Sequence, residues 1–169
     1  MPTTDLPELE RKWWLPDGAP PDLLQPISSH LLQAYLVVDP GELRIRDDQT
    51  TQTMTGKSDG SIIRDEWNTT IPKWLFLQLL ANTTLAIEKD RHDVWLDHHW
   101  ELDLYRGQHA GLVIVELEWK IVDTSPEGVD SALEGLQAVH LDPRFGRGIE
   151  VTDDKRFKNK NLARYGVPT

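Results

Sequence analysis

Residues 7–14 read PELERKWW. On a β-strand side chains alternate between two faces, so Glu8, Glu10 and Lys12 would all point one way, with Leu9 between the two acids. A strand that lines one face with two acids and a lysine is either a solvated face or one wall of a metal-and-phosphate site.

The same alternation recurs along the chain. Arg44 and Arg46 flank Ile45. Arg64 and Glu66 share a face opposite Ile63 and Trp67. Lys89 pairs with Arg91 in the same way. Glu101 and Asp103 alternate with Leu102 and Leu104, and Glu116, Glu118 and Lys120 with Val115, Leu117 and Trp119. An antiparallel sheet with one wet face is the ordinary reading of any single strand. Wet faces, however, usually mix threonine and serine with the charges, whereas these positions are largely arginine and glutamate. If the sheet closes, the charged faces enter a lumen, where charges must be paired or must bind ions and ligands. An eight-stranded barrel is just wide enough to hold a small ligand.

The elements around these strands follow from turn chemistry and periodicity. Residues 15–26, with four prolines, read as a loop with one short helical turn. Strands are expected at 30–38, 43–47, 51–56, 61–72, 85–92, 94–99, 100–107, 111–122 and, briefly, 148–152, with DPGE (39–42) and RGQHAG (106–111) as turns. KWLFLQLLAN (73–82), opened by Pro72, reads as a helix. So do 125–140 and 153–166, the last capped by Asp153 or Asp154 and ended by Gly166. Hairpins dominate and βαβ spacing is absent. The expected fold class is therefore α+β: an eight-stranded antiparallel β-barrel, or a sandwich, decorated by a few helices.

Composition narrows the partners. The 169 residues suggest one domain spanning the chain, and the absence of cysteine excludes disulfide frameworks, thiolate zinc sites and cysteine nucleophiles. No signal peptide or membrane span is evident, so a cytoplasmic protein with no membrane partner is expected. The two NTT sequons, at 68–70 and 82–84, are read as chance matches. A formal net charge of −10 argues against nucleic acid as a partner. An anionic ligand would need a local basic cluster, metal counter-ions, or both.

Carboxylates two apart on a strand converge on a hard divalent cation, and arginines two apart offer planar forks to phosphate oxygens. Together they describe a cavity for a metal-bound polyphosphate. Here the residues resemble a known family, the CYTH domain or triphosphate tunnel metalloenzymes. ELERK (8–12) resembles its ExExK signature, LLQAYL its Gln-x-Tyr-Leu strand, and LRIR its RxR strand. RDEWNTTIP resembles the strand before its central helix, and IEKDR its basic strand. WELDLYRGQHAGLVIVELEW resembles its acidic hairpin, and GIEVTDDKRFKNKNLA its Glu-Val-Thr tail.

The resemblance implies an eight-stranded barrel enclosing a tunnel, with divalent-metal-dependent activity on triphosphates. By position it implies Glu8, Glu10, Glu116, Glu118 and Glu150 as metal-facing acids with Mg2+ or Mn2+ as cofactor. It implies Lys12, Arg44, Arg46, Arg64, Lys89 and Arg91 as phosphate contacts, and Glu66 and Asp103 as further tunnel acids. Lys12, Glu116 and Glu118 are the expected catalytic set.

Two departures stand out. Thr55 occupies the position of a family lysine, and Lys57 just beyond is expected to point to the other face unless the strand bulges. Asn68 and Thr70 stand where the family often has acids. Of the histidines, adjacent His98 and His99 would diverge on a strand and not chelate together. Trp13, Trp67 and Trp119 are expected to pack away from the charges. The basic run KRFKNKN (155–161) is read as a solvated helix face, or as a segment closing one tunnel mouth. The leading functional expectation is hydrolysis of inorganic tripolyphosphate by a monomer or homodimer. The alternatives are a nucleoside or thiamine triphosphatase, an adenylyl cyclase of the same fold, a binding-only module, and a plain structural barrel.

Overall fold

The alternation is visible strand by strand in the computed structural model, which describes residues 8–24, 26–58 and 66–169, without the Glu8 side chain. Arg64 and the carboxylate of Glu8, both expected site groups, lie outside the described residues. The strands are β1 (Glu8–Trp14), β2 (Ser29–Val37), β3 (Glu42–Asp47), β4 (Gln52–Lys57), β5 (Glu66–Thr70), β6 (Ala86–Trp95), β7 (His99–Tyr105), β8 (Val113–Lys120) and β9 (Ile149–Glu150). The helices are α1 (Lys73–Leu80), α2 (Pro126–Ala138) and α3 (Asn159–Tyr165).

Every strand pair is antiparallel, in the order β5-β4-β3-β2-β6-β7-β8-β1-β9. The eight long strands match expectation, and β9 adds a two-residue flank to β1. Among the described residues β5 and β9 remain edges, so the sheet forms the tunnel wall without closing through hydrogen bonds. The decisive pairing is non-local: β1 lies beside β8 with Glu10 opposite Glu118 and Lys12 opposite Glu116.

Two expected boundaries change. The strands expected at 85–92 and 94–99 are one strand, because His92 and Val94 continue the buried outer-face alternation of β6. The chain instead reverses at 96–98, where Leu96 N–H donates to the His98 carbonyl at 3.0 Å. The helix expected over 153–166 is split by Lys158, whose ψ of 133° is extended. A 3-10 turn at Lys155–Phe157, capped by Asp154, precedes α3, and Gly166 ends it at φ 79°.

Period two sorts the apolar side chains to the outer face, where helices cover them. α2 lies on β1 and β8, packing Leu136 over Leu9, Trp13, Val115 and Leu117. Ser125 opens this helix by accepting the Gly128 N–H at 3.1 Å. Trp100, fully buried, meets Trp13 and Phe145 edge-on at 5.6 and 5.5 Å. Truncating such a residue to alanine costs about 3–5 kcal/mol. α1, entered through Pro72, covers β3 and β4 over Ala34, Ile45 and Ile71 with Phe76. Trp67 lies flat on Gly56, where an added Cβ would come within 2.3 Å of the indole nitrogen.

α3 packs differently. Leu162, Ala163 and Phe157 meet Tyr35, Ile87, Tyr105 and Ile114 on the inner face and plug one end of it. His109 Nε2 bonds the Leu162 carbonyl at 2.7 Å, and Lys160 Nζ donates to the Val38 carbonyl at 2.9 Å. Within the basic run 155–161, Lys155 and Arg156 are exposed, as a solvated face would have them, while Phe157 packs inward and Lys160 reaches the Val38 carbonyl. Among the described residues no helix is long and apolar enough to cross a membrane.

Candidate active site

The inner face carries two walls of different chemistry. On the first, β1, β7 and β8 bring carboxylates together. Glu101, Glu116 and Glu118 each offer one oxygen, all within 4.8 Å of one another. Register explains the cluster: Glu101 faces Glu116 across β7 and β8, and Glu118 follows Glu116 on the same face. Glu10 stands opposite Glu118. Lys12 Nζ lies 2.8 Å from Glu116 and 3.3 Å from Glu10. Burial alone would lower the Lys12 pKa, but the two acids outweigh it and keep the ammonium charged.

Arg91 ties this wall together. Its Nε and Nη2 each donate to Asp103 at 2.7 Å, Nη2 also reaches Glu116 at 3.0 Å, and Nη1 contacts Glu101. Lys89 bonds the same Asp103. Burial opposes the ionised forms of Asp103 and Glu116. Lys89 and Arg91 outweigh it at Asp103, and Lys12, Lys89 and Arg91 do so at Glu116, so both carboxyls sit below their usual range. Glu101 goes the other way. Burial and the charges of Glu118, Glu116 and Asp103 exceed the help from Arg91, and its pKa is pushed up to about 7.

The second wall, from β2 to β4, is basic and poorly compensated. Arg46 donates from Nε and Nη2 to Gln33 Oε1 at 3.2 and 3.1 Å. Its pKa is lowered by burial and by the like charges of Arg44 and Arg91. Arg44 has Glu42 at 3.8 Å, and its buried Nε has no hydrogen-bond partner. Cations held by a neutral amide, or left short of acceptors, form an anion site.

The face therefore gathers Glu10, Lys12, Arg44, Arg46, Glu66, Lys89, Arg91, Asp103, Glu116 and Glu118, all expected site residues. Glu150 does not join them. It pairs in register with Trp13 on the outer side and binds Arg11 through both carboxylate oxygens, at 2.8 and 2.7 Å. The expected direction of Lys57 also changes. β4 runs through residues 52–57, so Thr55 and Lys57, two apart, share the inner face. Lys57 Nζ bridges Glu66 at 2.8 Å and holds that acid below its usual range against the opposing effect of burial. Glu101 is the residue that sequence reasoning noted but left out of the site. The signal was its shared face with Asp103. His98 and His99 have separate acid partners, Asp97 at 3.8 Å and Asp93 at 2.8 Å.

No family model matches the chain. The inorganic triphosphatase of Nitrosomonas europaea is 35% identical over 164 residues, covering 92% of this chain and 96% of that protein. A crystal structure of an inorganic triphosphatase superposes with a TM-score of 0.59 at 32% identity, over 92% of this chain and 96% of that one. A Hippeastrum adenylyl cyclase candidate with a dominant triphosphatase activity superposes with a TM-score of 0.57 at 18% identity, over 96% and 97% of the two chains. That last likeness is one of fold alone.

Proposed function

The chain belongs to the family of inorganic triphosphatases built on the triphosphate tunnel (CYTH) fold, and on that premise we propose that its inner face hydrolyses inorganic tripolyphosphate. The observation that carries the proposal is the segregation of charge: a carboxylate cluster at Glu101, Glu116 and Glu118 shares the inner face with Arg46, held by the neutral Gln33, and with Arg44, whose buried Nε has no hydrogen-bond partner.

The all-oxygen donor set of Glu101, Glu116 and Glu118, with Glu10 alongside, fits a hard divalent cation such as Mg2+ or Mn2+. Such a cation supplies charge neutralisation and polarisation of a phosphoryl oxygen. The remaining work falls to side chains. Arg44 and Arg46 offer planar forks to terminal phosphate oxygens. Lys89 and Arg91, fixed by Asp103, present positive charge from the adjoining strand. Lys12, kept protonated by Glu116 and Glu10, donates where negative charge spreads over the phosphoryl oxygens in the transition state. α3 closes one end of the face and limits access by bulk water.

Tripolyphosphate is placed first among triphosphates because the inner wall offers cations and carboxylates rather than a base-recognition motif. The test is release of phosphate and pyrophosphate from tripolyphosphate, ATP and thiamine triphosphate with Mg2+, with Mn2+, and with chelator. Turnover of tripolyphosphate that chelator abolishes is expected. Tight binding with no turnover would make the protein a binding module, and neither binding nor turnover would end the proposal. Gln33→Glu, which sets an acid against Arg46, is expected to raise KM for tripolyphosphate about tenfold.

A further inference from the structure

Glu150, expected as a metal ligand, is on the wrong face for that role, yet it is linked to Lys12 through a short chain of bonds. Resting on the reading that Lys12 acts on phosphate, we propose that Glu150 and Thr152 form a positioning latch that sets Lys12 from outside the sheet.

Lys12 sits on β1, whose outer edge is covered, among the described residues, by β9 and the residues after it. The Lys12 carbonyl accepts the Val151 N–H at 2.9 Å, and the Lys12 N–H donates to Thr152 Oγ1 at 3.0 Å. Both backbone polar groups that Lys12 turns to this edge are thus held by the two residues after Glu150. Having accepted from Lys12, the Thr152 hydroxyl donates to Glu150 Oε1 at 2.9 Å. Glu150 is in turn gripped by Arg11 Nε and Nη2. Arg11 Nη1 donates to the Leu136 and Gln137 carbonyls, at 3.1 and 3.2 Å, and to the Val139 carbonyl, at the C-terminal end of α2. Arg11 also stacks over Trp13 at 4.8 Å.

The chain of bonds runs from the end of α2, through Arg11, Glu150 and Thr152, to the Lys12 peptide. Its members lie outside the charged inner face, so none can touch substrate. Each bond between ionised groups is stronger and more directional than its neutral counterpart. A lysine stem is flexible, and the fixed point that decides where Nζ sits is its backbone. Rotating the Lys12 peptide would swing the ammonium away from Glu116 and Glu10. A misplacement of about 1 Å at a reacting group can cost up to about a hundredfold in rate.

The test compares Thr152→Val, which removes both hydroxyl bonds at constant shape, with Thr152→Ser, which keeps them, and with Glu150→Gln. In Thr152→Val, kcat for tripolyphosphate is expected to fall about tenfold with KM within about twofold, because Arg44 and Arg46 still bind the ground state. Thr152→Ser should restore most of the rate. In Glu150→Gln, the Mg2+ concentration for half-maximal activity should not move, whereas a metal ligand would shift it severalfold. Hydrogen exchange at the Lys12 amide reads the latch without turnover: protection should fall in Thr152→Val and persist in Thr152→Ser. A wild-type enzyme that does not hydrolyse tripolyphosphate refutes the proposed function, while lost Lys12 protection still identifies the latch. Unchanged kcat together with unchanged Lys12 exchange in Thr152→Val overturns the latch, as does a serine variant that fails to rescue.

Discussion

Arg91 and Asp103 face each other across β6 and β7, with the guanidinium Nε and Nη2 each 2.7 Å from a carboxylate oxygen. Asp103 has no exposed surface and also holds Lys89. One buried acid therefore anchors two cations, one of which, Arg91, also contacts Glu101 and Glu116.

Asp103→Asn keeps the shape and removes the charge. It leaves Lys89 and Arg91 buried with less compensation, which is expected to cost about 3–5 kcal/mol in denaturant unfolding. The folded-state pKa of Asp103 is depressed, so its stabilisation is present above its unfolded value and is lost as pH falls through the folded value. Wild-type stability should therefore drop below about pH 4, and the variant should show a shallower acid limb. Equal acid limbs would show that the pair contributes nothing to acid stability.

Glu101 has the opposite sign. Its folded pKa, raised by burial to about 7, exceeds the 4.5 of the free group, so the folded state binds the extra proton between those values. Stability from this group falls as pH rises through that window. Glu101→Gln should be more stable than wild type at pH 8 in chelator, by on the order of 1–3 kcal/mol, and the difference should shrink toward pH 4.5. The same proton couples to metal. Mg2+ binding near pH 6.5 should release a fraction of a proton in the wild type and less in the variant, measured by calorimetry in buffers of different ionisation enthalpy. Equal release from both proteins would remove Glu101 from the metal site.

On the outer face, His30 bonds Asp90 through Nδ1 at 2.5 Å and Glu88 through Nε2 at 3.0 Å. The Asp90 bond, against a smaller effect of burial, raises its pKa above 6.5. Stability from a raised histidine is complete below the unfolded pKa and is lost as pH rises through the folded one. His30→Gln should therefore cost about 0.5–1 kcal/mol at pH 5.5 and almost nothing at pH 9 in urea unfolding. The same cost at both values would mean that shape, not charge, is what His30 provides.

The parts of the fold legible from sequence are those set by local alternation and turn chemistry. Arg44 and Arg46 around Ile45, or Glu116 and Glu118 around Leu117, declare a charged and an apolar face without any tertiary information. What escaped depends on register between distant strands. Glu101 becomes a cluster member only when β7 is slid against β8 so that it faces Glu116. Glu150 ends a two-residue strand too short to reveal its side, and the register with Trp13 turns it outward. The packing of the C-terminal segment on the inner face rests on two apolar anchors, Phe157 inside the basic run and Leu162 just after it, which the charge pattern of the run does not reveal.

Two of the residues that depart from the family pattern, Thr55 and Asn68, form one feature. Thr55 and Asn68 are cross-strand partners, and Thr55 Oγ1 donates to Asn68 Oδ1 at 2.5 Å. A neutral hydrogen-bonded pair occupies the positions where the resemblance implies a lysine and an acid. Thr55 is buried and stands opposite Arg44 in register. Thr55→Lys alone would bring a second cation against Arg44 at a buried position, and should cost about 1–3 kcal/mol and lower tripolyphosphatase activity. Asn68→Asp in the same chain supplies the missing counter-charge. The double variant should recover stability with a coupling energy of about 1–2 kcal/mol, and its KM should fall below that of the single lysine variant. The measurement is a double-mutant cycle in urea, run alongside phosphate release. Additive effects would show that residues 55 and 68 changed independently. A gain of activity from Thr55→Lys alone would show that the wall between Arg44 and Glu66 has room for an uncompensated cation.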